Sequence, residues 1–309
     1  MASSISISVI ICAHNPRYDY LFRVLEALKC QTLPIEAWEL LLIDNTSQKN
    51  LAVDIDLKWH PQSRHIREEQ LGIVPSRLRG IKEARAQLLV FVDCDNLLEP
   101  HYLELCLKIS QNYPSMGAWG GQVRARFEVP PPEWSKPYWR LLVIQQFDKD
   151  QFSKIRNFDA SPCGAGLCVR KLVADKYDQH VHNDPRRLNL GRKGESLAGC
   201  EDIDLAFSAC DIGLSMGKFT ALELTHLIPP FRLEEKYLLE LYERGAYSVV
   251  ILNTFRERSP SYHRKSLNEK IIRFFRLWGM SSLERRFNNA GRRGYYLAMK
   301  ELKETCQKN

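Results

Sequence analysis

An apolar run, Leu88-Leu89-Val90-Phe91-Val92, leads straight into two carboxylates one residue apart, Asp93 and Asp95. Carboxylates at the end of a buried strand are costly to desolvate unless a cation or a ligand faces them. Residues i and i+2 of a strand point the same way, so Asp93 and Asp95 can share one target. Oxygen ligands at an open site suit Mg2+ or Mn2+, which bridge protein carboxylates to substrate phosphates. Asp-x-Asp alone is a weak signal, and its meaning comes from the rest of the chain.

The first half alternates strand and helix. Ser6 to Cys12 reads as a strand ending at Ala13-His14-Asn15-Pro16, and Tyr20 to Lys29 has helical spacing with Leu21, Leu25 and Leu28 on one face. Glu39 to Ile43 is a second strand, closed by the turn-forming Asp44-Asn45-Thr46-Ser47. Ile66 to Glu69 reads as a short strand, Ser76 to Ala86 as a helix leading into Leu88–Val92, and Pro100 to Ser110 as another helix. Such alternation predicts an α/β fold with a largely parallel sheet, in which ligands bind beyond the carboxyl ends of the strands. Three of those ends carry polar residues: Asn15, Asp44 and the Asp93/Asp95 pair.

The middle of the chain differs. Pro130 to Trp139 is rich in proline and aromatics and is expected to form no regular element. Ser161-Pro162-Cys163-Gly164-Ala165-Gly166 precedes an apolar strand, Leu167 to Val169, and its glycines allow close approach of backbone to a ligand. His180-Val181-His182 resembles a metal pair without a third ligand and is read as loop. Asp184 to Ser196 is a polar loop holding Arg186, Arg187, Arg192 and Lys193. A helix starts at Glu201-Asp202, where acidic residues also suit a helix N-terminus. His226 follows an apolar strand, Leu222 to Thr225, and from Glu234 the pattern is helical to the end.

The nine cysteines are scattered singly, without a Cys-x-x-Cys pair, as expected of reduced thiols in a cytoplasmic protein. The start lacks the basic region and cleavage site of a signal peptide, and no apolar run reaches the roughly 18 residues of a spanning helix. The net charge of +7 is uneven: from His263 to Asn309, twelve lysines and arginines face four acidic residues, so the rest of the chain is nearly neutral. That balance argues against nucleic acid as a partner and for an anionic surface met by the tail. In Lys270 to Trp278, Ile271, Phe274, Phe275 and Trp278 fall on one helical side, with Lys270, Arg273 and Arg276 off it. Arg285, Arg286, Arg292 and Arg293 add charge downstream. The segment suits peripheral contact with the inner face of a plasma membrane. Its apolar side could equally pack onto the rest of the chain or onto a second copy in a homodimer.

Taken together, these residues resemble the family 2 glycosyltransferases, with their GT-A nucleotide-sugar fold. Ile7 to Asn15 looks like the family's first strand with its terminal Asn, and Asp44-Asn45-Thr46-Ser47 resembles its Asp-x-x-Ser. Gly72 to Ile81 resembles the small-Arg-Asn-x-Gly helix start, with Leu78 where the family has Asn. Asp93-Cys94-Asp95 matches the metal motif and Gly199 to Leu205 the Glu-Asp motif before the acceptor-side helix. The resemblance implies a GT-A catalytic domain over 1–230 and a basic helical extension over 231–309.

What the resemblance implies is an inverting transfer of a sugar from a nucleotide-diphosphate donor, favouring UDP, to a hydroxyl of a saccharide or lipid-linked acceptor. Asp202 would be the general base, with Glu201 orienting the acceptor or supporting it. Mn2+ or Mg2+ would sit on Asp95, with Asp93 and His226 completing the site, and offset the charge of the leaving diphosphate. Ala13 and Asn15 would bracket the base, Asp44 would accept from a uracil imide, and Arg77 would face base or phosphate, with Asp93 also near the ribose. Gly164, Ala165 and Gly166 would lie beneath the donor sugar, and the Arg186–Lys193 loop could close on the diphosphate or merely be exposed. Trp134 and Trp139 could stack on an acceptor sugar or pack against the core. The alternatives are a sugar-nucleotide nucleotidyltransferase and a non-catalytic sugar-nucleotide-binding relative that docks at membranes. Ala13-His14-Asn15-Pro16 lacks the Gly-rich signature loop of the first, and the intact Asp93, Asp95 and Asp202 argue against the second.

Overall fold

The computed structural model describes residues 5–256 and 279–306. The Lys270–Trp278 stretch, with its expected membrane-facing stripe, lies outside the described residues. The described elements are β1 (Ile7–Ala13), α1 (Tyr18–Lys29), β2 (Trp38–Asn45), the one-turn α2 (Leu51–Asp54), β3 (Ser63–Glu68), α3 (Ile73–Glu83), β4 (Leu88–Val92) and β5 (Asn96–Leu98). They continue with α4 (Tyr102–Asn112), β6 (Met116–Phe127), β7 (Gln151–Ser153), β8 (Cys168–Arg170), α5 (Lys171–Asn183) and α6 (Glu201–Asp211). The long β9 (Ser215–Ile228) and the helices α7 (Glu235–Phe255) and α8 (Ser282–Cys306) follow.

The strands form one sheet in the order β3-β2-β1-β4-β8-β6-β9-β5, with β7 also paired to β9. β3, β2, β1 and β4 are mutually parallel, and β6 and β9 run the same way beyond the reversed β8. β5 and β7 are antiparallel to β9. The chain therefore has the mixed α/β architecture expected of it, a mostly parallel central sheet flanked by helices.

The sheet is covered on both faces, which is why β1, β2 and β4 read as unbroken apolar runs rather than alternating ones. Ile7, Val9, Ile11 and Ala13 of β1 pack with Leu21, Val24, Leu25 and Leu28 of α1, while Ile10 joins the opposite cluster with Val74, Ile81, Leu205 and Phe207. The fixed ends of β1, β2 and β4 thus lie side by side: Ala13 is in register with Asp44, and Ile11 with Val92.

Four expectations need correction. The proline-rich stretch does contain a regular element, a 3-10 helix over Glu133–Leu142, with Pro132 just before it. Tertiary contacts hold it: Trp139 packs on Phe127 at 4.9 Å and Tyr138 stacks on Phe287 of α8 at 3.5 Å. His180 and His182 belong to α5 rather than a loop, because Val173, Ala174, Tyr177 and Val181 bury one helical face. His226 does not follow its strand but lies inside β9, opposite Asn96 of β5. Part of the Asp184–Ser196 loop is a 3-10 helix, Pro185–Leu190, started by the Asp184 side chain accepting from the Arg186 amide.

Beyond the sheet, α7 and α8 pack against each other. Two of the basic residues of the tail are used there: Arg286 pairs with Glu235 at 2.6 Å and Arg293 with Glu243 at 2.7 Å.

Candidate functional site

The carboxyl ends of β1 and β2 are built by side chains that tie one turn to another. Asn15, held at φ 42°, donates its amide to Ser47 Oγ at 3.0 Å and accepts from the Gln48 amide through Oδ1 at 2.8 Å. The Asn45 Oδ1 accepts the Gly72 amide at 2.8 Å, which fixes the start of α3 against β2. A cleft of about 200 Å³ opens here, walled by Ala13, His14, Asn45, Gly72, Ser76 and Arg192. Asp44 lies just beneath, 3% exposed, accepting from the Ser47 and Leu51 amides and pairing with Arg67 at 2.7 Å. Burial opposes its charge, but these donors hold its carboxyl below the usual range.

Asp93 and Asp95 follow β4. Asp93 keeps 39% of its side chain exposed and stands 3.9 Å from Arg77. Its confined setting raises its carboxyl above the usual range, with Asp95 adding repulsion against the pull of Arg77. Asp95 is held more tightly: Oδ1 accepts from Asn96 at 2.7 Å, and Oδ2 meets Arg232 at 3.0 Å and His226 Nε2 at 3.3 Å. Burial works against its charge, yet His226 when protonated, Arg232 and Arg192 hold its carboxyl well below the usual range.

His226 Nδ1 lies 3.0 Å from the Leu142 carbonyl, which requires the proton on that nitrogen. Nε2 is then the nitrogen offered to Asp95, the arrangement a metal-ligating imidazole adopts when its other nitrogen is spent on a backbone carbonyl. Nε2 also lies 2.9 Å from Arg232 Nη1. Among the described residues no group of three His, Cys, Asp or Glu side chains converges as a closed metal site. Asp95 and His226 nevertheless fit a hard divalent cation of the kind that takes its remaining ligands from substrate phosphates and water. Arg232 would have to yield its place on Asp95.

The third group comes from the start of α6. Cys200, at φ 83°, turns the chain so that Glu201 and Asp202 open the helix. Glu201 Oε1 lies 3.3 Å from Arg77 Nη1, and both side chains are buried. Burial raises the Glu201 carboxyl to about 7; Arg77 pulls the other way, but its single charge is shared with Asp93 and Asp202. Asp202 accepts the Gly164 amide at Oδ2 (2.6 Å) and the Ile203 amide at Oδ1 (2.8 Å). Position 164 has no room for a side chain, since a Cβ there would lie 2.5 Å from Arg77 Nη2 and 3.3 Å from Asp202 Oδ2. Gly166 takes φ 68° and its carbonyl accepts from the Tyr102 hydroxyl at 2.7 Å, with Ala165 buried between the two glycines. Arg77 therefore sits in one wall that runs from Asp93 through Gly164 to Glu201 and Asp202.

The basic loop divides in two. Arg187 turns inward and pairs with Asp204 of α6 at 2.6 Å, alongside Arg256 at 2.7 Å from the same carboxylate, so it is not available to a diphosphate. Arg192 instead lines the cleft, and its carbonyl accepts the Ile73 amide at 2.9 Å. Trp139 donates to Ser135 Oγ at 3.1 Å, and Trp134 is half-buried against Leu142, Ile228 and Leu233. Sequence reasoning missed Arg232. The spacing to His226 carries no signal until the 3-10 helix Pro230–Leu233 folds back on the end of β9.

Residues 8–173 match the glycosyl transferase family 2. The chain is 23% identical over 194 residues to a glucosyl-dolichyl phosphate glucuronosyltransferase of Haloferax volcanii, an alignment covering 61% of this chain and 58% of that protein. It is 29% identical over 107 residues to a Bacillus subtilis protein named as a glycosyltransferase, EpsH, covering 33% and 30% of the two chains. The chain thus spans less than two thirds of the length of these curated relatives. Its fold is similar to that of S. aureus TarS, with a TM-score of 0.52 to a crystal structure of residues 1–349, 14% identity, and 92% and 80% of the two chains covered. With more than half its length matching the family, this chain is a glycosyltransferase of family 2.

Proposed function

We propose that the protein transfers a sugar from a UDP-linked donor to a hydroxyl of a saccharide or lipid-linked saccharide acceptor, with inversion at the anomeric carbon. The observation that carries this reading is the wall in which Arg77 joins Asp93 at the end of β4 to Glu201 at the start of α6. Two sets of carboxylates then share one guanidinium, and they suit opposite ends of a transfer reaction.

On the donor side, the uracil would lie by Ala13, Asn15 and His14. Its imide would donate toward Asp44, whose carboxylate also accepts from the Ser47 and Leu51 amides and from Arg67. Asp95 and His226, with Asp93, would hold Mn2+ or Mg2+, which offsets negative charge on the diphosphate when bound. Arg192 would add a cation at the mouth of the cleft. On the acceptor side, Asp202 takes the proton of the attacking hydroxyl. The oxygen forms its bond to the anomeric carbon as the bond to the diphosphate breaks, and that electron pair leaves with UDP. The amides of Gly164 and Ile203 aim the Asp202 carboxylate, and Glu201 keeps Arg77 against this wall. A lipid-linked acceptor is supported by the dolichyl phosphate in the name of the Haloferax relative and by the basic C-terminal segment, which would meet an anionic membrane surface.

A panel of nucleotide sugars, incubated with the protein and Mn2+ without acceptor, tests this directly. Slow release of UDP from at least one UDP-sugar is expected, as water replaces the acceptor. Turnover confined to GDP- or CMP-linked sugars would contradict the donor assignment, and no turnover of any would contradict the enzyme.

A further inference from the structure

A second cavity, of about 440 Å³, is lined by Arg140, Gln145, Gln146, Phe147, Asp159 and Lys218. Gln145 Nε2 reaches the Gly121 carbonyl and Cys163 Sγ, both at 3.4 Å, while the residue after Cys163, Gly164, holds Asp202. Gln145 thus ties the wall of this cavity to the segment whose Gly164 amide orients the proposed base, Asp202.

The cavity is lined by two cations, Lys218 and Arg140, against one carboxylate, Asp159. Lys218 of β9 lines it and is 6% exposed. Among the described residues no carboxylate forms an ion pair with Lys218; its ammonium lies 5.3 Å from the centre of the Phe147 ring. Buried lysines are rare unless paired, because the ammonium gives up its hydration. Burial accordingly pulls the Lys218 ammonium below its ordinary range, and nearby Arg140 pulls in the same direction. Arg140 stands at the rim, where it meets Asp159 at 3.3 Å across exposed side chains. Gln145 and Gln146 supply amides to the walls. A largely buried cation, a second cation at the mouth, the Gln146 amide and one aromatic face together describe a pocket for a polar, negatively charged group with a sugar or polyol attached.

We propose that this cavity is an acceptor subsite that receives the phosphate or carboxylate of an anionic sugar or polyol acceptor, with Lys218 as its counter-ion. The inference rests on Asp202 marking the acceptor side, and it narrows the acceptor to one carrying negative charge near the attacking hydroxyl. Asp159 also lines the cavity and favours the Lys218 charge from a distance, but its ion pair is with Arg140, so two cations there share one carboxylate.

The test is calorimetric titration of the full chain, with its nucleotide cleft saturated by UDP, using glucose 1-phosphate, glucuronate and methyl glucoside. At least one of the two anions should bind, and more tightly than neutral methyl glucoside. Lys218→Gln should weaken that anion by about tenfold or more, as expected for loss of one desolvated charge-assisted contact. Lys218→Arg should restore most of the affinity, and Arg140→Gln, at the exposed rim, should weaken it in an undisturbed fold. Equal binding of methyl glucoside and both anions, or unchanged anion affinity in both Lys218→Gln and Arg140→Gln, would overturn the proposal. UDP affinity, measured separately in each variant, is expected to stay within about twofold. Intact UDP binding with failed anion binding contradicts the subsite alone, whereas failure of UDP binding in the parent protein contradicts the donor reading.

Discussion

Arg77 and Glu201 form a buried ion pair, Nη1 to Oε1 at 3.3 Å, in the wall between the two ends of the proposed reaction. Asp93 lies 3.9 Å from the same guanidinium. The pair thus couples the end of β4 to the start of α6, and one cation serves carboxylates that would otherwise repel one another.

Glu201 gives the account a pH signature. Its ordinary carboxyl value of 4.5 is raised to about 7 in the folded chain, chiefly by burial. The folded state therefore holds this proton over a range in which the unfolded chain has released it. Its contribution to stability is complete below about pH 4.5 and is lost as pH rises through about 7. Thermal unfolding followed across that window should show Glu201→Gln losing less stability than the parent as pH rises. Parallel pH profiles would show that Glu201 ionises normally in the fold.

Removing a ligand at the diphosphate end should cost rate rather than fold. Asp95→Ala is expected to lower donor turnover by about 10²–10³, the usual loss on removing one preorganised electrostatic stabiliser. His226→Ala should act in the same direction. Turnover assays with and without EDTA, restored by Mn2+ or Mg2+, check both. Full activity in EDTA would rule out the cation.

Nucleotide choice is readable as a shift in melting temperature. At a concentration about 100 times its dissociation constant, a bound ligand stabilises a fold by about 2.7 kcal/mol. UDP should raise the melting temperature more than equal GDP or CMP, and Asp44→Ala should narrow the difference. A larger shift with GDP would point to another base.

The interior charges behind α6 make a separate prediction. Asp204 accepts Arg187 at 2.6 and 2.7 Å and Arg256 at 2.7 Å, and Arg256 also pairs with Asp211. Asp204→Ala would leave two buried guanidinium groups facing each other, a change expected to cost about 3–5 kcal/mol. Urea unfolding should show the loss in its midpoint. A change below about 1 kcal/mol would mean that the cluster relaxes into water.

β1, β2 and β4 were legible because each is a largely apolar run ended by a polar turn, and α1 because Leu21, Leu25 and Leu28 repeat at helical spacing. β6 was not: its first half, Met116-Gly117-Ala118-Trp119-Gly120-Gly121, has little strand propensity, and pairing with β9 imposes the conformation. α5 carried its signal in Val173, Ala174, Tyr177 and Val181, which two histidines drew attention away from. In the site, Asp93, Asp95, Glu201 and Asp202 stood out because acidic residues beside apolar runs are conspicuous. Arg232 and Lys218 did not, since each gains its meaning only when β9 brings it to a cavity or a carboxylate distant in sequence. Arg187 was read only as part of a loop that could close on the diphosphate or stay exposed, and the position of α7 behind it turns it toward Asp204.

The division of labour between the carboxylates is the central claim, and Asp202→Asn tests it most directly. The variant keeps the size of the side chain and an oxygen for the Gly164 amide, but has no carboxylate to take a proton. Its calorimetric affinity for UDP should match the parent within about twofold, while transfer to acceptor should fall by about 10²–10⁴, the contribution typical of a positioned general base. Transfer at the parent rate, or a loss of UDP affinity as large as the loss of turnover, would contradict the assignment of Asp202 to the acceptor side.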